Sequence, residues 1–176
     1  DITSISLPES LTNIGTNAFD GCSSLTDIHL ASIASWLNIE FYKGINDNYA
    51  HPLRCNSKQK NLYLGEELIT DLVVPEGVTA IPDYAFFYCD NITSISLPEG
   101  VTSIGSYAFL NCTSLTSVVI PDSVTVIGKQ AFYKCDSFMS VTIGNGVTNI
   151  GIFTFYYCKN LTSINFNGTT AEWTTI

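Results

Sequence analysis

Apolar and polar positions along this chain repeat with a fixed period. Residues 72–75 (LVVP), 95–98 (ISLP), 118–121 (VVIP) and 141–144 (VTIG) align with one another, each beginning 23 residues after the last. In each segment apolar residues alternate with outward positions, which predicts a short half-buried strand. A second alternating stretch follows, with Val78, Val101, Val124 and Val147 three residues before Ile81, Ile104, Ile127 and Ile150. It predicts a second, shorter strand, and the glycine after the isoleucine suits a tight turn at positive φ. Ala85, Ala108 and Ala131 then precede a phenylalanine, and Cys89, Cys112, Cys135 and Cys158 close each unit. The Ala-Phe-x-x-Cys stretch has room only for a 3₁₀ turn. Residues 5–22 obey the same grammar.

A unit of this length cannot bury its own apolar face, so the copies must stack around a shared core. The fold class is therefore a strand-rich repeat solenoid, a right-handed coil of about 23-residue units, with strands of successive coils ~4.8 Å apart. Residues 1–176 read as a single domain with one irregular insertion at about 32–68. Within it, Ser32 is placed to cap a short helix that points Trp36 and Ile39 at the core. Residues 62–69, with Gly65 and Glu66 at the middle, read as a hairpin turning into the next coil. The stretch 166–176, with Trp173, resembles the start of that insertion. The sequence starts at a strand with no polar cap before it and stops inside a second helical unit, which leads to the expectation of a fragment, or the ordered part, of a longer chain.

Composition narrows the functional classes. Charged residues are only 13% of the chain, and Ser plus Thr number 37 against 23 charged residues, so the polar surface is mostly hydroxyl. Seven Lys/Arg against sixteen Asp/Glu give a net charge of −9, which argues against nucleic acid as a partner. No apolar run approaches a membrane span, so no membrane insertion is expected in this segment.

The unit L-T-S-I-x-L-P-x-x-V-T-x-I-G-x-x-A-F-x-x-C resembles the BspA-like, or treponemal-type, leucine-rich repeat. The S-W-L-N-I-x-F stretch and the N-G-T-x-A-E-W ending resemble modules that punctuate those repeats. The resemblance implies a non-enzymatic surface or secreted protein that binds protein partners, such as host matrix proteins or other microbial surface proteins, from an extracellular location. A spacer role, or an accessory role beside another domain such as a secreted hydrolase, is the alternative.

No catalytic set, metal site or cofactor is expected. His29 lies on a main strand and His51 in the insertion, neither within a nucleophile motif. Cys55 with His51 is two ligands short of a zinc site, and 46–48 (NDN) lacks the rest of a calcium loop. Glu9, Glu76, Glu99 and Asp122 follow prolines and read as turn residues. Cys22, Cys89, Cys112, Cys135 and Cys158 share one repeat position and are expected to form a ladder of free core thiols rather than disulfides. Asn-x-Thr sequons at Asn91, Asn111, Asn160 and Asn167 follow largely from the repeat itself.

Two faces could bind a partner. One is the hydroxyl-rich outside of the main strands, which includes Thr93, Ser94, Thr116, Val119, Met139 and Thr142. The other flanks the buried Ala-Phe: Tyr84, Phe87, Tyr88, Tyr107, Tyr133, Phe153, Tyr156 and Tyr157. These rings form either an exposed ridge of the interface type or a layer lying flat over the loop backbone.

Overall fold

A computed structural model describes residues 1–41, 51–55 and 58–169. In chain order the elements begin with β1 (Ser4–Leu7), β2 (Asn13–Ile14), β3 (Asp27–Leu30), helix α1 (Ile33–Leu37), β4 (Glu40–Phe41) and a 3₁₀ turn (Pro52–Arg54). They continue with β5 (Asn61–Leu64), β6 (Glu67–Leu68), β7 (Asp71–Val73), β8 (Ala80–Ile81), β9 (Ser94–Ser96) and β10 (Ser103–Ile104). The last are β11 (Ser117–Ile120), β12 (Val126–Ile127), β13 (Ser140–Ile143), β14 (Asn149–Ile150) and β15 (Ser163–Phe166).

The molecule is a β-solenoid. Main strands pair in parallel at a 23-residue offset, as in Ser117 with Ser140 and Ser140 with Ser163. The two-residue strands make a second parallel sheet, with Ile81, Ile104, Ile127 and Ile150 in one row. Leu72, Val118 and Val141 from the main strands meet those isoleucines in one buried cluster. Phe86, Phe109, Phe132 and Phe155 stack through it at centroid spacings of 5.2, 5.2 and 5.8 Å.

The third wall differs from the 3₁₀ turn that spacing suggested. Two residues per coil, four apart, have positive φ: Tyr84 and Tyr88, Tyr107 and Asn111, Gln130 and Lys134, Phe153 and Tyr157. Each such residue costs about 1–2 kcal/mol of left-handed strain. The compensation is visible in the hydrogen bonds. The amides of Tyr84, Phe86 and Tyr88 donate to Ser106, Ala108 and Leu110 one coil on, and those of Tyr107, Phe109 and Asn111 to Lys129, Ala131 and Tyr133. The left-handed residues thus join a ladder that ties turn to turn.

The glycines after the isoleucines are there for another reason than positive φ, which they do not show. A Cβ on Gly105, Gly128 or Gly151 would meet the backbone nitrogen of Asp83, Ser106 or Lys129 at 2.5, 2.4 or 2.3 Å. Coils approach too closely there for any side chain. The threonines also act between coils. Thr102, Thr125 and Thr148 donate their hydroxyls to the carbonyls of Thr79, Thr102 and Thr125 at 3.0–3.2 Å, and Thr93 and Thr116 repeat this beside the main strands.

The insertion is a helix plus a hairpin. The Ser32 hydroxyl accepts the Ser35 amide at 3.0 Å and caps α1, while Trp36 and Ile39 are buried. Strand β5 doubles back on β6, with Tyr63 opposite Leu68. Residues 46–48 and 170–176 lie outside the described residues. The Trp36 indole N–H donates to the carbonyl of Ala85 at 2.9 Å, 49 residues on. In regular coils the corresponding carbonyls, of Ala108 and Ala131, accept a phenylalanine amide from the preceding turn. A side chain therefore supplies the donor that the interrupted coil lacks. Trp36→Phe keeps most of the packing but strands the Ala85 carbonyl, so it should cost about 1–3 kcal/mol. Thermal unfolding followed by circular dichroism should show a midpoint lowered by about 3–8 °C. An unchanged midpoint would remove this bond from the account.

Candidate binding face

The turn wall carries the aromatic residues singled out above, and the stacking of coils aligns them in rows. Tyr84 and Tyr107 lie face to face, centroids 4.7 Å apart and planes at 14°. The Arg54 guanidinium sits 4.5 Å from the centre of the Tyr84 ring, and the Lys129 ammonium 5.1 Å from that of Tyr107. Two stacked rings thus each hold a cation as well. In the neighbouring rows Phe87 contacts Tyr84 at 5.6 Å and Tyr88 at 4.6 Å, while Tyr133 meets Tyr156 and Tyr157. Lys134 lies 5.6 Å from the Tyr133 ring and 5.9 Å from Tyr157.

The rings do not form one uniform ridge. Tyr84 is only 7% exposed, and Phe87, Tyr88, Tyr107 and Tyr133 are half-buried. Phe153, Tyr156 and Tyr157, on the last coil whose turn is described, are 50–55% exposed. The inner rings are the more buried, whereas the terminal ones offer more of their surface. Between Phe87 and Tyr133 the row contains Leu110, and the next row has Asn111 between Tyr88 and Lys134. There the wall opens into a groove of about 310 Å³ that Arg54, Tyr107, Leu110, Tyr133 and Lys134 help to line. Spacing alone could not find Arg54, which comes from the aperiodic insertion. Lys129 and Lys134 were visible as departures within the repeat, but not as partners of the rings.

The other candidates have structural places. The His29 ring donates from Nδ1 to the Gly65 carbonyl at 2.9 Å and stacks on Tyr63 at 4.6 Å, so it clamps the hairpin turn. His51 is buried against Trp36 and Phe41 and accepts the Leu53 amide on Nδ1 at 3.3 Å. Burial, reinforced by the Arg54 charge, brings its pKa down to about 3 and keeps it neutral. It lines a groove of about 370 Å³ with Glu40 and Asp83, but the Asp83 carboxylate already accepts the Ser106 amide at 2.7 Å. Lys60 is buried, its ammonium donating to the Leu25 carbonyl at 3.0 Å, and burial lowers its pKa. Among the described residues no group of three or more His, Cys, Asp or Glu could hold a metal ion. No described helix is long and apolar enough to cross a membrane.

The sequence profile of the BspA type leucine rich repeat region matches this chain in six copies, over residues 1–78 and 56–175. The chain belongs to the BspA-type leucine-rich repeat family. Its fold is similar to that of a leucine rich cell surface protein from Faecalibacterium prausnitzii, with TM-score 0.60 and 26% identity over 99% of this chain and 50% of that one. It is also similar to the T. pallidum leucine rich repeat protein, with TM-score 0.57 and 26% identity over 93% of this chain and 69% of that one. A leucine-rich repeat protein from Bacteroides ovatus aligns at TM-score 0.56 and 25% identity, over 93% of this chain and 37% of that one. The chain thus spans half the length of the F. prausnitzii protein. No curated protein matches it. The BspA-type repeat is a protein-interaction fold, and the relative from F. prausnitzii is a cell surface protein.

In this BspA-type chain the cysteine column is part of the stack. None of the six cysteines is joined in a disulfide, with Cys89, Cys112 and Cys135 buried and Cys22, Cys55 and Cys158 partly so. The thiols of Cys112, Cys135 and Cys158 donate to the carbonyls of Phe86, Phe109 and Phe132 in the preceding coil, at 3.2, 3.2 and 3.0 Å. Burial pushes the thiols of Cys89, Cys112 and Cys135 well up, away from the reactive thiolate. The sequon amides of Asn91, Asn111 and Asn160 are used between coils, donating to Asn61, Asp90 and the Asp136 backbone, and Asn167 is exposed. Alkylation without reductant should modify all six thiols of the unfolded chain and spare Cys89, Cys112 and Cys135 in the folded one. Peptide mass mapping reads both, and fewer than five labelled thiols after unfolding would overturn the free ladder.

Proposed function

We propose that this domain is a non-enzymatic recognition module at a bacterial cell surface or in secreted form, and that it binds protein partners through the aromatic turn wall. The observation that carries this reading is the groove among half-buried rings and cations at Leu110, set in a wall that stacking holds rigid. Aromatic rings with Arg are the residues that dominate protein interfaces, and a preordered wall loses little entropy on binding. The relation to a cell surface protein of F. prausnitzii supports the extracellular placement. Host matrix proteins and other microbial surface proteins are the partner classes of this proposal.

A spacer or accessory role is the second reading. What favours it is the strand face, where Thr93, Thr116 and Thr162 donate their hydroxyls to the preceding coil and the Ser94 hydroxyl donates to Asp71. That face spends its hydrogen-bonding groups within the stack.

Surface plasmon resonance against a panel of purified host matrix proteins tests the proposal. The intact domain should bind at least one of them. Phe87→Ser, Tyr133→Ser and Tyr156→Ser combined should weaken that binding about tenfold or more while the circular dichroism spectrum is kept. A strand-face control, Val119→Lys with Met139→Lys, should leave it unchanged. Binding that survives the ring substitutions, or is lost in the control instead, overturns the assignment of the face. Binding to none of the panel supports the spacer reading.

A further inference from the structure

Resting on that reading, we infer that the groove at Leu110 receives an acidic peptide segment of the partner, with a carboxylate beside an apolar side chain. Three observations point to this occupant, and the first is shape. The row Phe87, Leu110, Tyr133 loses an aromatic ring at its middle, as does the row Tyr88, Asn111, Lys134 beside it. Two adjacent rows thus shrink on the same coil and leave about 310 Å³ with buried Leu110 in its lining. An apolar side chain fits against the leucine.

The second is charge. The chain carries a net charge of −9, yet Arg54 and Lys134 line the groove, and no Asp or Glu is among the described lining residues. Lys129 stands one ring away, over Tyr107. On the same turns, Asp90 accepts a hydrogen bond from Asn111 at 3.4 Å and Asp136 pairs with Lys159 at 3.4 Å. A positive patch on an otherwise acidic body selects and steers an anionic partner.

The third is the orientation of the rings. Tyr84 and Tyr107 stack on each other, and each also holds a cation over its ring, Arg54 at 4.5 Å and Lys129 at 5.1 Å. A saccharide, which stacks on ring faces, would have to compete with these contacts. The edge of an aromatic ring is the positive part of its quadrupole, and it is left for a partner where two rings stack face to face. Cations bound to the faces reinforce that polarity. Ring edges, phenol hydroxyls and two cations together suit a carboxylate.

The test uses fluorescein-labelled hexapeptides in fluorescence anisotropy: one alternating Glu and Leu, one with Lys for Glu, and one with Ser for Leu. A uronic-acid oligosaccharide serves as the competing anion. The Glu–Leu peptide should bind best, and more weakly at physiological than at low salt. Leu110→Tyr fills the groove with a residue that the same row already holds at Tyr133, and should abolish binding. Lys134→Glu should weaken binding about fivefold or more, whereas Lys159→Glu should not, and thermal melts confirm that each variant folds. A Glu–Leu peptide that binds no better than the Lys–Leu one overturns the inference, as does binding that survives Leu110→Tyr. Displacement of the peptide by the oligosaccharide, with tighter binding of the latter, assigns the groove to an acidic sugar instead. The two proposals fail separately. Matrix-protein binding that needs Phe87, Tyr133 and Tyr156 but ignores Leu110→Tyr and Lys134→Glu would end this inference and leave the binding face standing.

Discussion

The backbone ladder between residues 23 apart is what the rest of the molecule depends on. It runs on all three sides of the coil: between main strands, in the short-strand sheet, and in the turns, where left-handed residues carry their amides from one coil to the next. Once that ladder is in place, every other column follows from it. Glycine is required where one coil's backbone presses on another, threonine where a hydroxyl can reach the carbonyl below, and cysteine where a small thiol can donate to the preceding phenylalanine carbonyl. These are separate residue types with separate physical reasons, held in line by one repeat distance.

The insertion shows how strict that requirement is. It lengthens the offset from 23 residues to 27 between Asn13 and Glu40, and to 34 between Asp27 and Asn61, without breaking the parallel pairing. The extra chain is absorbed by α1, the 3₁₀ turn and the β5–β6 hairpin. The junctions are then repaired by side chains: Trp36 donates to Ala85, Lys60 to Leu25, and Asn61 to Asp27 at 2.6 Å. Buried polar groups must be satisfied wherever the regular ladder is interrupted, and a buried tryptophan and lysine do this where backbone amides are missing.

Much of this was legible before the coordinates. A period of 23 with apolar alternation leaves few alternatives to a parallel-stacked solenoid, and the Ser32 cap and the Gly65-Glu66 hairpin are local signals with local physics. What spacing could not reveal depends on contacts between coils. Gly105, Gly128 and Gly151 looked like turn glycines, because a close approach of a neighbouring backbone leaves no mark within one unit. Tyr84, Tyr107 and Lys134 gave no hint of positive φ, because the hydrogen bonds that hold them so lie a coil away. The candidate face was only half visible for the same reason. The rings stood out as a periodic excess, but Arg54 comes from the aperiodic insertion, and the groove exists because Leu110 and Asn111 interrupt two rows at once.

The same stacking accounts for how a chain so poor in charge can still have a polarised surface. Asp27, Asp71, Asp83 and Asp122 accept hydrogen bonds from Asn61, Ser94, Ser106 and Asn145 of following coils, so part of the acidic excess is structural. Arg54, Lys129 and Lys134 are held over rings of the turn wall. The most direct test of the account is a pair of deletions compared by thermal unfolding. Removing residues 101–123 takes out one full 23-residue repeat and joins Gly100 to Val124 in register. Removing 101–122 leaves one residue too many. The first variant should keep a β-type spectrum and a single cooperative melt at a lower midpoint, whereas the second should lose cooperativity. If both melted alike, the 23-residue ladder would not be the constraint that holds this structure together.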